Sequence, residues 1–204
     1  MIVADFADGV GRVLIERPAR ANSLTGAMLA DLVSAFGRLA ARPDLRAVIL
    51  TGAGTVFSAG ADLNEARAGL ALSPGWERLS ARIATMPCLT VAALNGTCAG
   101  GAMGMVLACD LRLAVLEAQF FYPVMRLGFL PQPNDPARLA ALVGPSRAKM
   151  ILMAGQRIDA PEALAWGLVD RLVPREELLE TALALTADVR AAKPQHVAAI
   201  KQMI

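Results

Sequence analysis

Asn95-Gly96-Thr97-Cys98-Ala99-Gly100-Gly101-Ala102-Met103-Gly104 decides the fold. It follows Leu89 to Leu94, a short apolar run that reads as a buried strand, and it leads into a helical run that reaches Cys109. A glycine-rich strand exit that enters a helix presents unpaired backbone N–H groups, and its small residues let a ligand approach them. The same grammar occurs once before. Ala47 to Leu50 is a buried strand by composition, and Gly52 to Asp62 follows it, containing Phe57-Ser58-Ala59-Gly60-Ala61-Asp62-Leu63. A developing oxyanion needs two convergent donors at about 2.7 to 3.1 Å, which amides on two rigid loops supply. Taken alone, glycine turns before helices also serve as plain packing and capping devices.

Outward from these loops the pattern alternates strand and helix. Met1 to Phe6 and Val10 to Glu16 flank Asp8-Gly9, a hairpin signal. Thr25 caps a predicted helix with Met28, Leu29, Leu32, Val33, Phe36 and Leu39 on one face, stopped by Pro43-Asp44. Trp76 to Met86 reads as a helix, and Leu111 to Val115 and Phe120 to Tyr122 as strands. From Pro136 onward helices are expected near 137–143, 146–154, 161–166, 176–190 and 195–203, with one strand at 169–173. The expectation is one α/β domain over 1–204, with a β/α core to about residue 135 and a mainly helical remainder.

With 55% hydrophobic residues in 204, the chain can bury one large core. The net charge of +2 is scattered, so no nucleic-acid stripe is expected. Three cysteines without a C-x-x-C pair, and no basic apolar leader, point to a cytoplasmic protein without disulfides. The apolar stretch 97–109 is too short to cross a bilayer, and no membrane partner is expected. No G-x-G-x-x-G follows the first strand, which argues against a dinucleotide-binding domain.

Three motifs in series resemble the crotonase (enoyl-CoA hydratase/isomerase) superfamily. Arg17-Pro18-Ala19-Arg20-Ala21-Asn22-Ser23-Leu24 resembles N-R-P-x-x-x-N-A-L, residues 57–63 resemble F-S-A-G-A-D-L, and residues 95–102 resemble N-G-x-A-x-G-G-G. Ala108 to Arg112, Phe120 to Gly128 and Gly155 to Val169 match further family segments, so the likeness covers nearly the whole chain. The resemblance implies a spiral of repeated β-β-α turns with a helical C-terminal region. It also implies a small-molecule acyl-CoA thioester as substrate, with coenzyme A as part of the substrate and no permanently bound cofactor or metal. A role in fatty acid metabolism and a homotrimer or dimer of trimers are implied too. The N–H groups of Ala61 and Gly101 would form the oxyanion hole, with the next helix aiming its positive end there. Ala19, Arg20, Ala21, Ala59, Asp62, Leu63 and Asn64 would hold coenzyme A, with Arg20 reading equally well as a surface arginine. The family usually continues past the segment resembling 193–204 with helices that cover the acyl pocket and join subunits.

The resemblance also exposes departures. The two glutamates that act as general acid and base in family hydratases fall at Gly104 and Val124, and the aspartate of other members falls at Gln132. Glycine and valine carry no proton, and an amide only donates and accepts hydrogen bonds. Gly104 and Val124 are therefore expected to line the acyl pocket without chemistry. The proton carrier is left open between Gln132 orienting a water, Asp135, and a group from a neighbouring subunit. Asp135 also reads as the N-cap of a helix starting at Pro136. Tyr122 offers a phenol nearby. Cys98 lacks an activating histidine nearby, and His196 reads as a surface or interface residue. Glu65 reads either as a pocket-mouth charge or as a helix-surface one. Either an enzyme with relocated proton-transfer groups or a catalytically weak thioester-binding protein fits this pattern.

Overall fold

The computed structural model describes residues 1–204. β1 (Ile2–Ala7) and β2 (Val10–Ile15) pair antiparallel about Asp8 (φ 50°) and Gly9 (φ 81°). Two positive φ values make a turn whose twist matches that of the strands. α1 (Gly26–Ala40) follows, with Thr25 accepting from the Met28 N–H at 3.1 Å as its N-cap. Its buried face is Met28, Leu29, Leu32, Phe36 and Leu39, and each large side chain contributes about 2 kcal/mol of burial.

The next stretches repeat one plan: a strand, a short second strand, then helix. They are β3 (Ala47–Gly52), β4 (Val56–Ser58), α2 (Leu63–Arg67) and α3 (Gly75–Ala84). Then come β5 (Leu89–Leu94), β6 (Thr97–Ala99) and α4 (Ala102–Leu107). The last repeat is β7 (Leu111–Val115), β8 (Gln119–Phe121), α5 (Val124–Leu127) and α6 (Asp135–Val143). α7 (Pro145–Leu152), β9 (Ile158–Asp159), α8 (Ala160–Trp166), β10 (Arg171–Val173), α9 (Leu178–Ala184), α10 (Ala187–Ala191) and α11 (Pro194–Gln202) complete the chain.

The first strand of each repeat enters a six-stranded sheet of order β1-β2-β3-β5-β7-β10, and the second enters a smaller sheet of order β4-β6-β8-β9. All pairings from β2 to β10 in the large sheet are parallel, as are β4 with β6 and β6 with β8. This is the β-β-α spiral that the resemblance implies. β3 and β5 are buried almost throughout, which explains their unbroken apolar sequence.

Several expectations change. β4 and β6 lie inside the stretches read as loops. The helix expected over 176–190 is broken: a 3₁₀ turn at Arg175–Glu177 precedes α9, and α9 and α10 are separate. At that break the buried Thr186 hydroxyl donates to the Leu183 carbonyl at 2.7 Å, giving the backbone an alternative to the helical ladder. The helix expected over 76–86 already ends at Ala84.

Candidate active site

β4 and β6 are parallel neighbours, so the loops that leave them emerge side by side. Two buried asparagines fix that junction. Asn22 donates to the carbonyls of Ala53 (2.8 Å) and Val56 (2.7 Å), and Asn95 donates to those of Gly54 (2.9 Å) and Val56 (3.2 Å). The Asn95 side-chain oxygen also accepts from the Gly52 N–H at 3.1 Å. Close approach leaves no room for side chains: a Cβ on Gly96 would lie 1.9 Å from the Thr55 oxygen. A Cβ on Gly60 (φ 87°) would lie 2.7 Å from the Ala99 oxygen and 3.4 Å from the Gly101 nitrogen. The two glycine loops therefore touch where the sequence places their donors.

Ala61 and Gly101 sit outside the helices and strands, and neither N–H donates to an acceptor within the chain. Both residues line one cleft of about 260 Å³, together with Trp76, Tyr122, Val124 and Gln132. The Trp76 indole packs where a Gly101 side chain would be, 3.0 Å from that Cβ position, and its Nε1 donates to the Leu70 carbonyl at 2.9 Å. The apolar wall raises the strength of any hydrogen bond made inside.

The rim is built by Arg17. Its guanidinium donates to Asp62 (2.8 Å) and to the Ser23 carbonyl (3.1 Å), joining the first motif to the second. Arg17, with the N–H groups at the start of α2, holds the Asp62 carboxyl below the usual carboxylate range. Asp62 also donates its own N–H to the Leu24 carbonyl at 2.8 Å, so it acts as a post for the loop. Ala59 donates to the Ala21 carbonyl at 3.0 Å, which brings residues 19–21 beside the second motif. Ala19, Arg20, Ala59, Leu63 and Asn64 are exposed there, and Arg20 makes no side-chain bond. Glu65 is committed elsewhere, accepting from the Gly26 N–H at 2.7 Å.

Two expectations about the far side need correction. Asp135 is not a helix cap. Asn134 occupies the cap position and makes no side-chain cap bond, while Asp135 turns inward, is 0% exposed and accepts from the Tyr122 hydroxyl at 2.9 Å. Gly104 does not line the cleft. A Cβ there would stand 2.9 Å from both the Asp135 Oδ1 and the Ser80 Oγ, so the space beside this glycine belongs to Asp135. Burial pushes the Asp135 carboxyl up to about 6, against the Tyr122 hydrogen bond and the nearby Arg138 charge. Burial, with Asp135 beside it, pushes the Tyr122 phenol upward too. Gln132 lines the cleft, but its side-chain amide donates to the Ala71 carbonyl at 3.3 Å.

Cys98 is buried and its thiol is pushed far upward by burial, so it is no thiolate. His196 is exposed and lies along a separate apolar recess of about 820 Å³, lined in part by Leu107, Leu111, Val197 and Ile200. None of the glycine-loop residues line that recess. No group of three or more His, Cys, Asp or Glu is placed to hold a metal ion, and no helix is long and apolar enough to cross a membrane.

A β-β-α spiral with two backbone loops meeting at a cleft defines a crotonase-fold protein. The enoyl-CoA hydratase/isomerase family model matches residues 5–204, and the chain belongs to that family. A Thermus thermophilus relative named as an enoyl-CoA hydratase is 37% identical over 96% of this chain and 80% of its own length. A carnitinyl-CoA dehydratase of Citrobacter koseri is 33% identical over 94% of this chain and 75% of its own. Among solved structures, an enoyl-CoA hydratase from Bacillus anthracis superposes with a TM-score of 0.91 at 33% identity, covering 98% of this chain and 81% of that one.

Proposed function

We propose that the chain binds an acyl-CoA or enoyl-CoA thioester and stabilises an enolate-like oxyanion with the N–H groups of Ala61 and Gly101. The observation that carries this reading is that both N–H groups are unengaged and line one cleft, on loops locked together through the Val56 carbonyl. Donors held in place before the reaction cost no reorganisation when charge develops, which is why such pairs are effective. The exposed rim of Ala19, Arg20, Leu63 and Asn64, with the half-buried Ala21 beside it, suits the nucleotide end of coenzyme A, and the apolar cleft suits the acyl end. The reaction class is hydratase or isomerase, since both pass through a thioester enolate.

The test is the carbonyl stretching frequency of a ¹³C-labelled acetyl-CoA carbonyl, measured by infrared difference spectroscopy with and without the protein. Two donors at the oxygen shift that band to lower frequency on binding. Tight binding with an unshifted band would remove the oxyanion hole from the reading. Binding and a shifted band without turnover of crotonyl-CoA or 3-butenoyl-CoA would identify a thioester-binding protein.

A further inference from the structure

We propose that Tyr122 is the proton-transfer group of the cleft, and that Asp135, out of the ligand's reach, positions it and takes up its proton. This inference rests on the thioester reading above. Tyr122 lines the same cleft as Ala61 and Gly101. Its hydroxyl donates to the Asp135 Oδ2 at 2.9 Å and accepts from the Gln132 backbone N–H at 3.4 Å, which leaves one lone pair on the oxygen.

Asp135 has no structural errand that a neutral residue would not serve. It caps nothing, it is completely buried, and its Oδ1 has no hydrogen-bond partner. It sits in space that exists only because residue 104 is a glycine. A buried carboxylate left half-satisfied is costly, and such groups concentrate at functional sites. The groups facing it are Glu77 and Ser80 from α3, Cys98 from β6, Arg138 from α6 and Tyr122 itself. The Arg138 guanidinium, 4.0 Å from Oδ1, supplies the nearest positive charge.

The step balances with a single relay. In a 3-enoyl thioester the Cα–H bond breaks and its proton bonds to the Tyr122 oxygen as the Tyr122 proton passes to the Asp135 Oδ2. The electron pair spreads over the dienolate and rests on the thioester oxygen facing Ala61 and Gly101. A proton then returns from Asp135 through Tyr122 to Cγ, and the double bond ends conjugated with the carbonyl. One proton leaves one carbon and one arrives at another, so no second acid/base group is required. Burial keeps the free phenol protonated, which couples its two transfers. The reaction class that fits is double-bond migration along the acyl chain.

The experiment follows conversion of 3-butenoyl-CoA to crotonyl-CoA by the absorbance of the conjugated thioester, with crotonyl-CoA binding measured by calorimetry. Wild type is expected to convert it. Tyr122→Phe should lose roughly 100-fold or more in kcat with KM within about threefold. Asp135→Asn should lose a similar factor, and Asp135→Glu should recover part of it. Wild-type kcat should fall as pH drops through about 6, where Asp135 becomes protonated and ceases to accept, and that limb should be absent in Asp135→Asn. Should Asp135→Asn fail to fold, Tyr122→Phe decides alone. Undiminished kcat in Tyr122→Phe, or a wild type that binds the thioester without converting it, overturns this inference and leaves the thioester reading standing. Absence of thioester binding overturns both.

Discussion

The two sides of the cleft are made of different material. On one side the candidate chemistry is backbone: Ala61 and Gly101 contribute only N–H groups, and Asn22, Asn95, Gly52, Gly60 and Gly96 exist to bring their loops into contact. On the other side it is side chain: Tyr122, Gln132 and Asp135, with Asp135 filling the space that the glycine at 104 leaves open. The first side is over-determined, since several residues each enforce the same approach. The second hangs on a short chain of hydrogen bonds through Tyr122 and Gln132 and on one vacancy.

The sharpest way to break this contrast is on the backbone side. Gly96→Ala places a Cβ 1.9 Å from a carbonyl oxygen that cannot move without opening β4, and the loss should reach about 4 kcal/mol or leave no folded protein. Denaturant titration of the purified variant checks it. Gly104→Ala should cost less, about 2 kcal/mol of overpacking against Asp135 and Ser80, partly offset by alanine's better helix propensity. In an Asp135→Ala background that cost should shrink by at least about 0.5 kcal/mol, because the two positions compete for one space. Additive losses would separate them.

Asp135→Asn should reverse the sign. Its folded carboxyl is pushed up to about 6 from the ordinary 3.8, so the stability it contributes is present below the lower value and lost as pH rises through the higher. At pH 8 the amide variant should gain about 2 kcal/mol, and at pH 4 only a fraction of that, as read by thermal melts at both pH values. A protein that keeps so unfavourable a group trades stability against use. His196→Ala should mark the floor, within about 0.5 kcal/mol and without effect on turnover, since it lies away from both sides of the cleft.

The glycine loops of the backbone side were legible in the sequence because their signals are local and few residues can replace them, while the pairing of Ala61 with Gly101 rests on the resemblance. Glycine after a strand and before a helix is read directly from 52–62 and 95–104. The hairpin at Asp8-Gly9 and the Thr25 cap were legible for the same reason. The short strands β4 and β6 were not, since three residues carry no period and they pair only within the small sheet. Of the two readings of Asp135, the cap fails: Asp before Pro is a strong local cap pattern, but the bond that holds this carboxylate inward comes from Tyr122, thirteen positions away. The available signal was relational: a glycine at 104, where the resemblance leads one to expect a carboxylate, and an aspartate later in the chain. The rim role of Arg17 was missed likewise, since its partner Asp62 lies forty-five residues on.

The carbonyl of Val56, held by both Asn22 and Asn95, has a consequence for how this protein is made. Three segments far apart in sequence must meet before either loop is fixed, and contacts of long separation form slowly because they close large stretches of chain. A nascent or half-folded chain thus has no anion trap to offer. The appearance of thioester affinity during refolding should lag the helical signal of α1, so that ligand binding reports the last stage of assembly.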